Sequence, residues 1–225
     1  MSSGKHPFIV SLGKAFKAAA DPSNAVFQKT YLRDQFEFFG LKTELRRQIT
    51  KDHFKKMEIG DYTTLETVVK ELWAMPQREF QHSAQELMVH CKELWTSKTI
   101  TLIEYCIVHK SWWDTVDYLN AYGSGMYFQK FPESKESITS AWNNSDNIWL
   151  NRSSLLFQLK YKTGTDTDLL GRYIKNLSSS KEFFIRKAIG WVLREYSKTN
   201  AAWVRDFIRD NKLAALSIKE GSKYL

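Results

Sequence analysis

Apolar residues recur at helical spacing along most of the chain. The period is 3.6 residues rather than 2, which is typical of amphipathic helices, and alternating Val, Ile and Thr runs bounded by tight-turn sequences are essentially absent. Pro and Gly are scarce, with 4 and 10 residues among 225. The pattern predicts about a dozen helices, at 6–20, 24–37, 43–57, 63–75, 77–95, 99–109, 112–130, 134–144, 147–161, 166–177, 181–197, 200–210 and 216–224.

The predicted helices are paired and repeated. WLNRSSLLFQLKY (149–161) and FFIRKAIGWVLRE (183–195) begin 34 residues apart, and both open with an aromatic residue, with Arg fourth and Leu eleventh. EFQHSAQELMVHC (79–91) lies close to two such periods earlier. A hairpin recurring at this interval indicates an α-solenoid. Because the TPR consensus is missing, we expect a HEAT-like α-solenoid of about six helical pairs, curved around one basic concave face. No break has the composition of a linker, so residues 1–225 are expected to form a single domain.

Composition narrows the classes of function. The 33 Lys and Arg outnumber the 25 Asp and Glu, and the net charge of +8 favours an anionic partner, nucleic acid first. Uninterrupted apolar stretches stay well below the roughly 18 residues of a membrane span, and the N-terminus lacks the features of a secretory signal. Cys91 and Cys106 stand outside any CxxC or Cys/His cluster. We therefore expect free thiols in a reducing cytoplasm and no structural zinc site.

The stretch KEFFIRKAIGWVLREYSK has two faces when it is drawn as a helix. The first is apolar and consists of Ile185, Ala188, Ile189, Val192 and Tyr196. The second consists of Lys187, Trp191, Arg194 and Lys198. Trp191 therefore belongs with three cations rather than with the core. Two interpretations stay open: a solvated basic face whose Trp fills a seam between repeats, or a stripe that follows DNA phosphates and presents an aromatic ring to a nucleotide.

The string KSWWDTVD places two tryptophans and two aspartates within six positions. Ser111 is predicted to cap a helix, with Asp114 at the third helical position as in a capping box. Trp112 is expected to pack inward. Asp117 lies one turn after Trp113, so the carboxylate and the indole share a face. The carboxylate is either paired with a nearby Lys or Arg, or placed beside an aromatic wall to stabilise a developing cation.

Six strings together resemble the AlkD-type alkylpurine DNA glycosylases. The resemblance runs from about His6 to Ser217, and the last of the strings is long and specific. Two departures, Glu44 where Pro is common and the ending SIKEGSKYL in place of S-x-R-E-A-x-K, are not expected to affect the chemistry. The strings are FGLKTELRR (39–47), ELWAMPQREFQ (71–81), KSWWDTVD (110–117), SDNIWLNR (145–152), LLFQLKYK (155–162) and SSKEFFIRKAIGWVLREYSKTN (179–200).

The resemblance implies an all-helical, HEAT-like-repeat DNA repair enzyme that excises bases carrying a positive charge, chiefly N3- and N7-alkylated purines. The catalytic residues of the family correspond to Trp113, Asp117 and Trp191. The functional arginine corresponds to Arg152, which is expected to hold the adjacent phosphate. The residues expected to contact DNA are Arg152, Tyr31, Thr43, Lys187, Arg194 and Lys198.

The chemistry that the resemblance implies lies at the sugar. An alkylated purine is already a good leaving group, so the two indole faces and the Asp117 carboxylate would stabilise an oxocarbenium-like deoxyribose. The family acts without flipping the base into a pocket, unlike many glycosylases. No metal or other cofactor is expected. The expected partner is double-stranded DNA with alkylated purines, bound by a monomer in the bacterial cytoplasm, associated with the nucleoid and not with a membrane.

Two other functions fit the basic helical pattern. A DNA-structure-binding HEAT-like protein without catalysis would use the same basic stripe, and a protein-interaction solenoid would expose apolar patches on its concave face. The joint presence of Trp113, Asp117, Arg152 and Trp191 favours the enzyme over both alternatives.

Overall fold

The prediction of an all-helical fold is confirmed. The computed structural model describes residues 6–225, and within that range it forms helices, turns and one isolated parallel bridge between Glu37 and Gln77. No helix in residues 6–225 is long and apolar enough to cross a membrane. The chain divides into two compact units, Met1–Thr96 and Ser97–Leu225.

The first unit has an aromatic and aliphatic core, to which three of its helices contribute. The core includes Leu12, Phe16, Leu65, Val68, Leu72, Trp73, Phe80 and Leu87, all at most 1% exposed. α2 buries none of its residues. The helices of this unit are α1 (Pro7–Ala18), α2 (Pro22–Tyr31), α3 (Thr43–Phe54), α4 (Tyr62–Ala74) and α5 (Arg78–His90), and a 3₁₀ turn follows at Lys92–Leu94.

The predicted helix at 24–37 is wrong in its second half. Arg33 and Asp34 take left-handed backbone conformations, with φ of 56° and 58°, and these stop the helix. The chain then returns to the start of α5, where the Glu79 carboxylate accepts hydrogen bonds from three successive backbone amides at 2.9–3.3 Å. Gly40, with φ of 88°, is required there, since a Cβ would lie 2.0 Å from the carbonyl oxygen of Asp21.

The second unit carries the remaining helices. Its core includes Leu102, Ile103, Ile107, Val116, Leu119, Trp142, Leu155, Phe157, Ile174, Ile189 and Leu193, each at most 2% exposed. Three 3₁₀ or π segments interrupt the order at Leu119–Ser124, Pro132–Ser134 and Lys162–Gly164. The helices are α6 (Thr99–Val108), α7 (Trp113–Tyr118), α8 (Gly125–Lys130), α9 (Lys135–Asn143), α10 (Ile148–Leu156), α11 (Thr167–Leu177), α12 (Phe183–Ser197), α13 (Ala201–Asp210) and α14 (Ala215–Gly221).

The predicted helix at 112–130 contains a π-helical centre. The wide turn Leu119–Ser124 separates α7 from α8. Gly125 allows a close approach after it, because a Cβ there would lie 2.6 Å from the carbonyl oxygen of Phe157. Such π segments inside helices occur often beside functional sites, and this one begins two residues after Asp117.

Two of the aligned strings share a hydrogen-bonding role. Gln81, third in EFQHSAQ, donates from its side-chain amide at 2.7–3.3 Å to carbonyls at the end of α4, those of Leu72, Trp73 and Met75. Asn151, third in WLNRSSL, donates at 2.8–3.2 Å to carbonyls at the end of α9, those of Trp142, Asn143 and Ser145. Each amide satisfies carbonyls that a helix end leaves without partners. The aligned helices α5 and α10 therefore make the same kind of contact with the helix that precedes each of them.

Candidate functional site

The second unit contains a cavity of about 260 Å³ that collects most of the predicted site residues. It brings together Trp113, Asp117, Arg152 and Trp191, with Lys187 and Arg194 beside them. Three further residues that the sequence did not single out complete the wall, namely Phe183, Phe184 and Glu220.

The start of α7 differs from the predicted capping box. The helix begins at Trp113 with Trp112 at the N-cap, and no side chain caps it. Ser111 instead donates its hydroxyl to the carbonyl oxygen of Ile107 at 2.6 Å, at the end of α6. Ser111 bonds to the end of α6 instead of the start of α7 because Lys110, with a φ of 49°, turns the chain sharply between the two helices. Asp114 does lie in the first turn of α7, where a negative charge favours the helix dipole.

Trp112 packs into an aromatic cluster, as expected from the sequence. Its ring lies 5.7 Å from that of Trp149 and 5.2 Å from that of Phe184, centroid to centroid. Trp149 and Phe184 also contact each other at 5.0 Å. Edge-on and tilted pairs of this kind add to the burial of apolar area. The cluster therefore fixes the N-terminus of α12 against the start of α7, so that Trp112 supports the cavity while Trp113 lines it.

Asp117 and Arg152 form a two-point ion pair. Nε of Arg152 donates to Oδ1 of Asp117 at 2.7 Å and Nη2 donates to Oδ2 at 2.9 Å. Nη1 of the same guanidinium donates to the carbonyl oxygen of Phe184 at 2.6 Å. The side chains are 5% exposed for Arg152 and 17% for Asp117. The predicted ion pair of Asp117 is thus present, with Arg152 as its partner. The geometry favours Arg152 as a residue that fixes Asp117 rather than as a free phosphate contact.

Burial raises the pKa of the Asp117 carboxyl above its ordinary value. The charge and hydrogen bonds of Arg152 oppose this rise, and the nearby Asp114 adds to it. The pair presents the remaining exposed edge of a carboxylate to a cavity that two indole rings line. This arrangement can stabilise a positive charge that forms next to it.

The two faces predicted for α12 are present. Ile185, Ala188, Ile189 and Val192 are at most 2% exposed, while Tyr196 is half-buried. Trp191 is half-exposed on the opposite side, and the guanidinium carbon of Arg152 lies 5.9 Å from its ring centroid. Trp191 therefore faces the cavity rather than the core.

Lys187 and Arg194 both reach a carboxylate that sequence reasoning missed. Lys187 lies 3.0 Å from Oε1 of Glu220, and Arg194 lies 2.6 Å from Oε2. Hydrogen bonds and charges from Lys187 and Lys223 lower the pKa of Glu220 to about 2. Glu220 comes from the C-terminal string SIKEGSKYL, at the Glu that this string shares with the pattern S-x-R-E-A-x-K. The two positions that depart from the pattern, Lys219 and Gly221, do not line the cavity. The expectation that this departure leaves the chemistry unaffected stays a prediction.

The other residues expected to contact DNA do not line this cavity. Lys198 does not line this cavity and pairs with Glu195 at 2.6 Å. Tyr31 ends α2 in the first unit, 62% exposed, with its ring stacked 6.4 Å from that of Phe27. Thr43 is the exposed first residue of α3. Their contacts with DNA stay predictions.

Among the described residues, no group of three or more His, Cys, Asp or Glu side chains is placed to hold a metal ion. The two cysteines are free thiols, Cys106 buried and Cys91 half-buried, and burial raises the pKa of Cys91.

Comparison with known proteins gives a consistent result. A family model described as DNA alkylation repair enzyme matches residues 12–225. A solved structure described as a predicted DNA alkylation repair enzyme from Enterococcus faecalis is 30% identical, with a TM-score of 0.86 over 92% of this chain and 96% of the other. A search of curated proteins gives no significant match. With residues 12–225 matched, the chain belongs to the family of DNA alkylation repair enzymes.

Proposed function

We propose that this protein is a DNA glycosylase that excises positively charged N3- and N7-alkylated purines, such as 7-methylguanine and 3-methyladenine. The observation that carries the proposal is the Asp117 carboxylate, which Arg152 holds at two points in a cavity lined by Trp113 and Trp191. Membership of the DNA alkylation repair family supports alkylated DNA as the substrate.

The proposed reaction is hydrolysis of the N-glycosidic bond. The bond between C1′ and the purine nitrogen breaks, and its electron pair leaves with the base, which becomes neutral. The sugar acquires oxocarbenium character, water adds to C1′, and the proton of that water passes to Asp117 or to solvent. A cationic base needs no protonation before it leaves, so an acid that donates to the base is not required.

The cavity residues suit the charge that develops on the sugar. The Asp117 carboxylate opposes the positive charge directly, and the faces of Trp113 and Trp191 favour it through their ring quadrupoles. A group preorganised in this way is commonly worth about 3 kcal/mol, or on the order of 10² in rate. Arg152 acts through Asp117, since it keeps the carboxylate in place.

The lining also favours contact with the sugar–phosphate backbone. Besides Arg152, which Asp117 holds, its basic groups are Lys187 and Arg194. Backbone contacts of proteins with DNA rely heavily on Arg and Lys. We therefore infer that the protein acts on duplex DNA from the backbone side, without drawing the base into a dedicated pocket. We further propose that it acts as a monomer.

A base-release assay tests the proposal. Wild-type protein and Asp117→Asn are incubated with duplexes that contain either 7-methylguanine or uracil, and the free base is measured. Wild type should release 7-methylguanine and leave uracil, because uracil is neutral and is not activated. Asp117→Asn should be slower on the order of 10²-fold, with DNA affinity unchanged or higher.

A matched variant separates the carboxylate from net charge. Asp168 is exposed on α11, outside the cavity, so Asp168→Asn should excise like wild type. Wild type that binds DNA but releases no base would favour the DNA-structure-binding alternative. Release of uracil as fast as 7-methylguanine would show that the charge argument is wrong.

A further inference from the structure

Glu220 is a buried carboxylate at the rim of the cavity, and three cations surround it. Its side chain is 10% exposed. Besides Lys187 and Arg194, Nζ of Lys223 lies 3.1 Å from both carboxylate oxygens. Removing a carboxylate from water is costly unless opposite charges compensate. One negative and three positive charges leave an excess of two positive charges at this point.

The backbone under Glu220 is held firmly against α12. A Cβ on Gly190 would lie 2.5 Å from the Cβ of Glu220 and 3.0 Å from the carbonyl oxygen of Ser217. Ser217 donates its hydroxyl to the carbonyl oxygen of Arg186 at 2.8 Å. The missing side chain of Gly190 thus lets α14 approach α12 closely, and the Glu220 carboxylate has a fixed position over that helix.

Glu220 joins two cations that lie on either side of Trp191. Lys187 is one helical turn before Trp191 and Arg194 is about one turn after it. Each donates to a different oxygen of Glu220. The cations keep exposed surface, with side chains 37% exposed for Lys187, 24% for Arg194 and 45% for Lys223. Since Lys and Arg carry several donors each, N–H groups remain for a further acceptor.

We propose that Glu220 gathers Lys187, Arg194 and Lys223 into a binding site for one phosphodiester of the DNA backbone. Glu220 is a positioning residue, and Lys223 is a phosphate contact that the sequence did not indicate. The site rests on the proposed function in one respect, since it places the phosphodiester beside the cavity that holds Asp117. A bound phosphate next to Trp191 would set the sugar of the damaged nucleotide in the cavity.

Binding to undamaged duplex as a function of salt tests the site without any excision. Each phosphate contact contributes about 0.9 to the slope of log Kobs against log salt concentration. Lys223→Gln should reduce the magnitude of that slope by about 0.9. Lys219→Gln is the matched control, because Lys219 is exposed on α14, four residues before Lys223, and its loss removes the same charge without breaking an ion pair to Glu220. It should leave the slope nearly unchanged.

Glu220→Gln gives a test of opposite sign. If Glu220 were only a counter-charge, its loss would raise the net charge by one and tighten DNA binding. As a positioning residue it should, when neutralised, weaken binding by at least roughly threefold, because the freed cations repel one another and scatter. If a thermal melt shows that Glu220→Gln does not fold, the salt slopes of Lys223→Gln and Lys219→Gln still test the proposal. Both of these side chains lie at the surface.

Kinetics on methylated duplex separate this site from the chemistry. Lys223→Gln should raise KM several-fold while kcat stays within about twofold, the result for a contact made equally in ground and transition states. Equal salt slopes for Lys223→Gln and Lys219→Gln, or tighter binding by Glu220→Gln, would overturn the proposal. If wild-type protein released no base at all, the proposed glycosylase function would be wrong. The salt dependence of DNA binding would still test the phosphate site.

Discussion

Arg152 and Asp117 meet in a fork of two hydrogen bonds, at 2.7 and 2.9 Å. Arg46 and Glu86 also form a two-point pair in the first unit, with Nη1 and Nη2 as the donors, at 2.8 and 2.7 Å. The two carboxyls differ in pKa nonetheless. Burial raises the pKa of Asp117 in spite of Arg152, whereas for Glu86 the effect of burial is outweighed by Arg46 and Arg47 together, and the pKa falls. One guanidinium does not offset the effect of burial on the pKa of Asp117, whereas two guanidinium groups do so for Glu86.

Replacing Arg152 should destabilise the protein. Arg152→Gln leaves Asp117 without its counter-charge in a largely buried place, a change that commonly costs about 3–5 kcal/mol. Arg172→Gln is the control, because Arg172 forms an exposed pair with Glu136, and such pairs contribute about 0–1 kcal/mol. Urea denaturation measures both. Equal losses of unfolding free energy in the two variants would show that the Asp117–Arg152 pair contributes no more than an exposed ion pair.

A double variant tests the reason for that loss. Asp117→Asn removes the charge that Arg152 neutralises, so adding it to Arg152→Gln should recover part of the stability. A double variant no more stable than Arg152→Gln alone would place the effect in the hydrogen bond to the Phe184 carbonyl instead.

The rate of excision should fall at acid pH as Asp117 becomes protonated. The proposed mechanism needs the carboxylate, and burial raises the pKa of Asp117 above the 3.8 of an exposed aspartate. The acid limb of kcat should therefore lie above pH 3.8 and fall as the pH drops through the pKa of Asp117. Single-turnover rates from pH 4 to 8 on a 7-methylguanine duplex measure it. The residual rate of Asp117→Asn should lack this limb, and a limb shared by both proteins would assign it to another group.

Local periodicity predicted the part of the site that lies on single helices. Trp191 with Lys187 and Arg194 follows from a 3.6-residue repeat within α12, and the shared face of Trp113 and Asp117 follows from one turn of α7. These are relations between near neighbours, which hold wherever the helix forms.

The missed features depend on contacts far apart in sequence or on unusual backbone. Glu220 reaches the cavity because Gly190 permits α14 to lie close to α12, which no local pattern reveals. Ser111 turned from the expected cap because Lys110 adopts a left-handed conformation. The helix at 24–37 ended early for the same kind of reason, at Arg33 and Asp34.

The contribution of Trp191 to the excision rate should depend on the quadrupole of its aromatic ring. Trp191→Phe keeps an aromatic face with a weaker quadrupole, and Trp191→Leu removes it. The loss of a cation–π contact of about 0.5–2 kcal/mol corresponds to roughly 2- to 30-fold in rate for the Leu variant, with Phe between Leu and wild type. Trp203→Leu is the control, because Trp203 stacks on Phe207 at 4.9 Å and lies outside the cavity. It should lower Tm and leave the rate per folded molecule unchanged; equal rate losses at the two positions would contradict the role of Trp191.

Two helical glycines should respond to alanine with opposite signs. In an open helix, Gly→Ala stabilises by about 1 kcal/mol because alanine loses less backbone entropy. Gly13 in α1 fits that case, since an added Cβ would meet Phe80 at 3.4 Å, an ordinary contact. Gly190 does not, because its Cβ would stand 2.5 Å from that of Glu220 and force α14 away from α12. Thermal melts should show a raised Tm for Gly13→Ala and a lowered Tm for Gly190→Ala. Overpacking at Gly190 should lower the free energy of unfolding by about 1–3 kcal/mol. Gly190→Ala should also weaken DNA binding, because it displaces Glu220 from Lys187, and a stabilised Gly190→Ala would mean that the two helices are not in close contact.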